Sequence, residues 1–264
     1  MRSIVLTAAA LAVVVVTACS KDPPPIQESA VKPVSTAQAV AAGGKRFTIA
    51  PAGKAAIAIP APLETYRGES KVLSGYFIID ASDLKQSVGE VDVDLDAIQT
   101  FTFDEKEKND QQNEHVHNWF EIGSDDSDAP SVKTADPKKW ADYKTAQFFI
   151  DKIEESSVKS LQEVPDMAGA RMVTLKASGR LRVHGRDSAK TVSVQVTFKG
   201  PADAPTELTF HTVNSVVVSL SEHDVKPRNA SGKFLETTLA AVGKKLDDKA
   251  QITVDGTASR DKEK

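Results

Sequence analysis

Strict alternation of apolar and polar residues is the feature that most constrains the fold of this chain. In residues 91–96 three apolar residues alternate with three aspartates, and residues 191–198 alternate four apolar residues with hydroxyl and amide residues. Successive side chains of a strand point to opposite faces of the sheet, so a period of two places all apolar residues on one face. The pattern therefore predicts half-buried antiparallel strands, with one face in water.

The same alternation returns often enough to define a fold class. It is present in residues 173–183, 208–213 and 251–254, while residues 184–187 and 199–203 combine Gly, Pro and Asp and read as strand connections. Many short strands separated by turn residues are typical of an all-β barrel or sandwich.

The N-terminus has the pattern of an export signal. Arg2 precedes an apolar run over residues 4–16, which is shorter than the ~18 residues that favour a spanning helix. Thr17 and Ala18 then precede Cys19, the single cysteine of the chain. This arrangement is similar to the site at which bacterial lipoproteins are acylated and cleaved. We therefore expect residues 1–18 to be a lipoprotein signal peptide and Cys19 to be the lipidated N-terminus; a plain signal peptide or a membrane anchor are the alternatives.

Composition separates a tether from a folded domain. Residues 19–45 are rich in Pro, Ala, Gln and Ser, which favours a flexible tether, and residues 46–260 are expected to form one barrel domain. The chain has 33 Lys and Arg residues against 37 Asp and Glu residues, and loss of Arg2 changes the formal net charge from −4 to −5. A mildly acidic protein is a poor nucleic-acid binder. With Cys19 lipidated, no thiol remains for disulfides or catalysis.

Two segments depart from the strand pattern. Residues 123–142 combine Ser, Asp, Pro and Lys, and we expect them to form a solvated loop inserted between strands. Residues 231–246 have apolar residues at steps of three and four with Ser231 as a possible cap, which predicts one C-terminal helix before the last strand.

Candidate chemical groups are few. His115 and His117 would point the same way in a strand and could chelate a metal, but a structural metal site usually needs four ligands and we expect both to be surface groups. The aspartates of residues 91–96 are expected to be the wet face of a strand. Neither a nucleophile elbow nor a phosphate-binding glycine loop is present. We therefore expect no catalytic residues, no metal, no cofactor and no enzymatic activity.

The apolar strand faces are the remaining candidate for a functional site. They either fill each other's space, as in a small closed barrel, or surround one elongated apolar ligand, as eight-stranded barrels can. The candidates to line such a ligand site are Val91, Val93, Leu95, Val173, Leu175, Leu181, Val183, Val192, Val194, Val196, Phe198, Val216 and Val218. The residues alone leave both alternatives open.

From about residue 47 to residue 258 the chain resembles the YceI-like family of exported proteins. Gly179, Leu181, Val183 and Gly185 are similar to its Gly-x-Leu-x-(apolar)-x-Gly strand and turn, with Gly185 supplying the unusual backbone angle of the turn. Weaker similarity lies in residues 75–80, 91–95, 115–120, 146–149 and 216–227.

The resemblance implies a lipocalin-like, elongated antiparallel β-barrel of about eight strands, which in some members holds a polyisoprenoid or another long-chain amphiphile. It brings no catalytic residues. Together with the signal, it leads us to expect an envelope lipoprotein that binds or carries an apolar molecule, held through its acyl chains at the outer membrane and facing the periplasm. The alternative is a structural or adhesive envelope protein with a filled barrel, and an enzyme of unrecognised type comes third. The oligomeric state is left open.

Overall fold

Twelve strands build the fold in the computed structural model, which describes residues 39, 43–60, 65–123, 133–134, 136–226 and 247–262. All strand pairs are antiparallel. The strands are β1 (Lys45–Ile49), β2 (Lys54–Ile59), β3 (Tyr66–Ser70), β4 (Leu73–Ile79), β5 (Val88–Asp94), β6 (Ile98–Thr100), β7 (Thr145–Ser156), β8 (Ala170–Val183), β9 (Arg186–Lys199), β10 (Glu207–Thr212), β11 (Val216–Ser219) and β12 (Lys249–Arg260).

Eight of these strands close into a barrel. The order of pairing is β1-β4-β5-β7-β8-β9-β10-β12, and β12 returns to β1 through Phe47, Thr48 and Ile49. The predicted all-β class and the lipocalin-like barrel of eight strands are therefore confirmed. Closure removes the unpaired edges that an open sheet would expose.

The other four strands lengthen the barrel. Strands β1 and β2 pair with successive parts of β12, and so do β10 and β11. Strand β3 lies between β2 and β6 in the same way as β4 lies between β1 and β5. Strand β3 therefore extends the position of β4 in the sheet, and β6 extends that of β5. Each of these pairs acts as one long strand with a break, which makes the barrel elongated.

In the described part of the chain, two helices lie between β6 and β7. Helix α1 spans Lys106–Trp119 and helix α2 spans Pro137–Tyr143, where Asp136 caps the first turn by accepting a hydrogen bond from the Lys138 N–H. The prediction of a loop over residues 123–142 is therefore wrong for its last part, because Asp136 and Pro137 provide a helix start. The predicted helix over residues 231–246 lies outside the described residues, as do Cys19 and most of the predicted tether.

The start of the packed domain differs from the predicted boundary at residue 46. Ala39 is buried against Ile78 and Val88, and its carbonyl accepts a hydrogen bond from the Gly44 N–H. Ala39, which lies within the predicted tether, therefore packs on the barrel.

The hairpin between β8 and β9 shows why its sequence is so specific. His184 and Gly185 form the turn, with φ angles of 50° and 70°. Positive φ at both central residues is the backbone of a type I′ turn, whose twist matches that of the flanking strands. Gly185 has the backbone angle that its place in the turn predicted.

The barrel is filled at both ends by separate apolar clusters. One contains Phe47, Leu84, Leu161 and Phe198, beside two short 3-10 turns at Leu84–Gln86 and Leu161–Glu163. The other surrounds Tyr66 and includes residues of helix α1 and the end of β8. Both clusters continue into the wall of the middle of the barrel, the first through residues such as Leu175 and the second through Val183.

Candidate functional site

An elongated cavity of about 150 Å³ occupies the middle of the barrel. On β8 its wall extends from Leu175 to Val183. Eight residue steps of ~3.3 Å give about 26 Å along the strand, or about 20 Å along the barrel axis after the usual strand tilt. The cavity is therefore narrow and long, with room for one chain rather than a compact ligand.

The wall is apolar because the inward positions of successive strands are apolar. Strand β9 contributes Val192, Val194 and Val196, and β12 contributes Ile252 and Val254. These residues alternate with polar residues that face outward, as the period of two requires. An apolar wall of this kind binds ligands by excluding water rather than by polar contacts.

Strand β7 departs from simple alternation. Its pairing with β8 shifts by one residue between Ile150 and Lys152, which leaves Asp151 as the extra residue of a bulge. The bulge changes the parity of the inward positions, so both Ile150 and Ile153 line the cavity.

Most of the predicted lining residues lie on the cavity wall. They are Val91, Val93, Leu175, Leu181, Val183, Val192, Val194, Val196, Val216 and Val218. Three predicted positions are placed elsewhere. Val173 and Phe198 are packed in the cluster at one end of the barrel, and Leu95 is packed in the cluster at the other end. They share the inward apolar pattern but lie beyond the ends of the cavity, a difference that alternation cannot reveal.

Sequence reasoning missed several residues of the wall. Phe77, Phe148 and Phe210 line the cavity, and Phe77 and Phe210 meet edge to face with ring centroids 5.2 Å apart. All three lie in segments that the sequence had marked as strands, so extending the alternation to them would have found them. Lys190 lies one residue before the strand predicted over residues 191–198, and extending that alternation by one step from Val192 would have found it as well.

All but three of the residues that line the cavity are apolar. The exceptions are Ser87, Thr212 and Lys190. Ser87 accepts a hydrogen bond from the Asp80 N–H at 3.1 Å, and Thr212 accepts one from the Val254 N–H at 3.1 Å. The two hydroxyl oxygens thus serve the backbone, and Lys190 brings the single charge into the described wall.

Two buried histidines, His184 and His223, pack near Lys190 between the β8–β9 hairpin and the turn after β11. The His223 Nδ1–H donates to the Arg186 carbonyl at 2.9 Å, so Nε2 carries no proton and accepts from the Ser188 hydroxyl at 2.9 Å. Burial lowers the pKa of His223, which keeps the ring neutral. His184 packs its ring against Tyr143 of helix α2, with centroids 3.7 Å apart. These contacts fix the turn after β11 against the β8–β9 hairpin.

The histidine pair that the sequence offered for metal binding is not on a strand. His115 and His117 lie on helix α1, where residues two apart point to nearly opposite sides. His115 is exposed, whereas His117 is half-buried and burial lowers the pKa of its ring. The expectation that both are surface groups is therefore wrong for His117.

Among the described residues no group of three or more His, Cys, Asp or Glu side chains is arranged to hold a metal ion. In the same part of the chain, no helix has the length and hydropathy to span a membrane.

A closed eight-stranded barrel with an elongated apolar interior defines a lipocalin-like protein. The family model of the YceI-like domain matches residues 47–258, and the chain belongs to this family. No curated protein matches the chain.

The solved structures that are similar to this chain have low sequence identity to it. A polyisoprenoid binding domain from Saccharophagus degradans, implicated in plant cell wall breakdown, has a TM-score of 0.52 and 13% identity, over 83% of this chain and 99% of that chain. BcnA of Burkholderia cenocepacia has a TM-score of 0.45 and 18% identity, over 78% of this chain and 96% of that one. A YceI protein of Campylobacter jejuni has a TM-score of 0.37 and 14% identity, over 74% and 85%.

Proposed function

We propose that this protein is an envelope lipoprotein whose barrel binds and carries a long-chain apolar molecule such as a polyisoprenoid. The observation that carries the proposal is the narrow apolar cavity along the barrel axis. Its shape fits one extended chain, and its wall offers almost nothing but hydrocarbon. The name of the similar domain from Saccharophagus degradans gives independent support for a polyisoprenoid as the ligand class.

The proposal includes location and anchoring. Acylation of Cys19 would hold the protein at a membrane, with the barrel facing the periplasm and the outer membrane as the proposed site. In this role the protein acts as a carrier and not as an enzyme. The alternative, a structural or adhesive protein, predicts a filled barrel, and the cavity favours the carrier instead.

The test exchanges two valines on paired strands for tryptophan. Val194 lines the cavity, whereas Val173 is buried in the packed cluster next to it. In Val194→Trp the indole side chain should occupy the cavity. The fold should stay intact, and the ligand chain should be expelled. Val173→Trp is the matched control: it overpacks a dense core and should destabilise the barrel by ~1–3 kcal/mol.

The measurements are thermal unfolding and mass spectrometry of an organic extract of each purified protein. The wild type should yield a long-chain lipid and Val194→Trp should yield much less, at a similar melting temperature. The carrier proposal fails if the wild type yields no lipid, takes up no added long-chain isoprenoid, and loses as much stability on Val194→Trp as on Val173→Trp.

A further inference from the structure

Lys190 points into the barrel. It lies two residues before Val192 on the inward side of β9 and lines the cavity. Its pairing partner on β8 is Gly179, which has no side chain to occupy the space opposite. The Lys190 side chain is only 18% exposed. A cation thus lies in a wall that is otherwise almost completely apolar.

The ammonium group of Lys190 is weakly satisfied. Its ion pair within the described part of the chain is with Glu222, at an Nζ–Oε distance of 3.9 Å, which is too long for a hydrogen bond. A lysine ammonium carries three N–H donors. Desolvated charges are normally paired and hydrogen-bonded, because an unsatisfied one is costly. The group therefore has free donor capacity at the side of the cavity.

Glu222 lies on the solvent-exposed side of Lys190. Its side chain is 59% exposed, and it lies on the turn that the neighbouring His223 fixes through Ser188 and Arg186. Lys190 thus reaches from the apolar wall towards an exposed carboxylate. On β9, Lys190 is the lining residue nearest to this turn, so a ligand head could meet water beside it.

We propose that Lys190 binds the anionic head of a single-chain amphiphile, a phosphate or a carboxylate, whose hydrocarbon chain lies in the cavity. This inference rests on the proposed carrier function and names the class of ligand. The anion takes the place of Glu222 beside the ammonium and accepts its hydrogen bonds. Charge-assisted hydrogen bonds of this kind are short and strong, more so next to a low-dielectric wall.

The experiment compares ligands with equal chains and different heads. Purified full-length protein, stripped of lipid on a hydrophobic exchange resin, is titrated with geranylgeranyl phosphate and with the neutral geranylgeraniol. Palmitate and hexadecanol form a second pair with a carboxylate head. Wild-type protein should prefer each anion over its alcohol by about tenfold or more, the range of hydrogen bonds to charged groups. A preference limited to one pair identifies which head is bound.

Three variants locate the effect. Lys190→Met should abolish the preference for the anion and retain affinity for the alcohol. Lys176→Met is the matched control, since Lys176 lies on the outer face of β8 beside Glu155 and its replacement removes the same charge away from the cavity. It should leave both affinities unchanged. Glu222→Gln removes the competing carboxylate and should strengthen anion binding by up to about fivefold.

The results separate this inference from the proposed function. Equal binding of anion and alcohol by the wild type, or an unchanged preference in Lys190→Met, overturns the role of Lys190 and leaves the carrier function standing. If none of the four ligands binds, the carrier function itself is overturned, and the inference with it.

Discussion

Among the glycines in the described part of the chain, Gly179 is the one where an added Cβ would come nearest to another atom. A Cβ at Gly179 would overlap the carbonyl oxygen of Phe149 on β7 and would lie 2.9 Å from its carbonyl carbon. Both obstacles are backbone atoms beside the β7 bulge, so no side-chain rotation can relieve them. Gly179→Ala therefore forces β7 and β8 apart.

The cost follows from the hydrogen bonds that the separation breaks. A displacement of about 1 Å takes ladder bonds out of hydrogen-bond range. Two lost bonds cost ~1 kcal/mol each if water replaces them and up to ~3 kcal/mol each if they stay buried. Replacing Gly by Ala also lowers the conformational entropy of the unfolded chain, which offsets ~0.4–1 kcal/mol of this loss of stability. Phe149 and Ile150 are half-buried, so the cost lies between these two limits, and we expect a net loss of about 2–3 kcal/mol.

Urea unfolding followed by far-ultraviolet circular dichroism measures this loss, and the melting temperature should fall by about 5–10 °C for a domain of this size. Gly169→Ala is the matched control. Gly169 has a φ of 83°, and a Cβ added there would meet nothing within 4 Å, so Ala carries backbone strain of ~1–2 kcal/mol without a clash. If Gly179→Ala costs no more than Gly169→Ala, close strand approach is not what requires a glycine at position 179.

Two further predictions concern pH and anchoring. Burial holds the pKa of His223 below its unfolded value of ~6.5, so the unfolded chain binds the proton first and stability should fall as the pH drops below about 6.5. The free energy of unfolding, measured with urea at several pH values, should change less with pH for His223→Gln than for the wild type. An equal pH dependence for the two proteins would contradict the role of His223. Cys19→Ala should release the protein from membranes without changing its melting temperature, since acyl chains supply ~0.8 kcal/mol per buried CH₂. A variant that still sediments with membranes in high salt would refute lipidation at Cys19.

Strands with clean alternation could be predicted from the sequence, because the period of two directly reflects burial on one face. Residues 91–96, 173–183 and 191–198 all lie largely within observed strands. The first of these ends at Asp94 rather than at residue 96, so Asp96 lies in a turn. The bulge at Asp151 could not be predicted, because no residue type marks the place where a strand shifts its register.

Helix α1 was missed because it lacks the apolar stripe by which helices are found. Val116 is its single buried apolar residue, and its exposed face is stabilised by ion pairs such as Lys106 with Asp110. A short polar helix of this kind depends on its contacts with β6, which the local sequence does not encode. The same polarity made His115 and His117 look like residues of an exposed strand.

The cavity itself indicates why the sequence keeps small residues inside the barrel. At ~24 cal/mol per Å³, an empty space of about 150 Å³ costs the fold about 4 kcal/mol. This is a large share of the ~5–15 kcal/mol that stabilises a typical domain. Larger side chains at Ala146 and Ala177, which both line the space, would recover part of it. A barrel that served only as a structural element would gain from such filling, whereas a carrier recovers the same energy when its ligand chain enters.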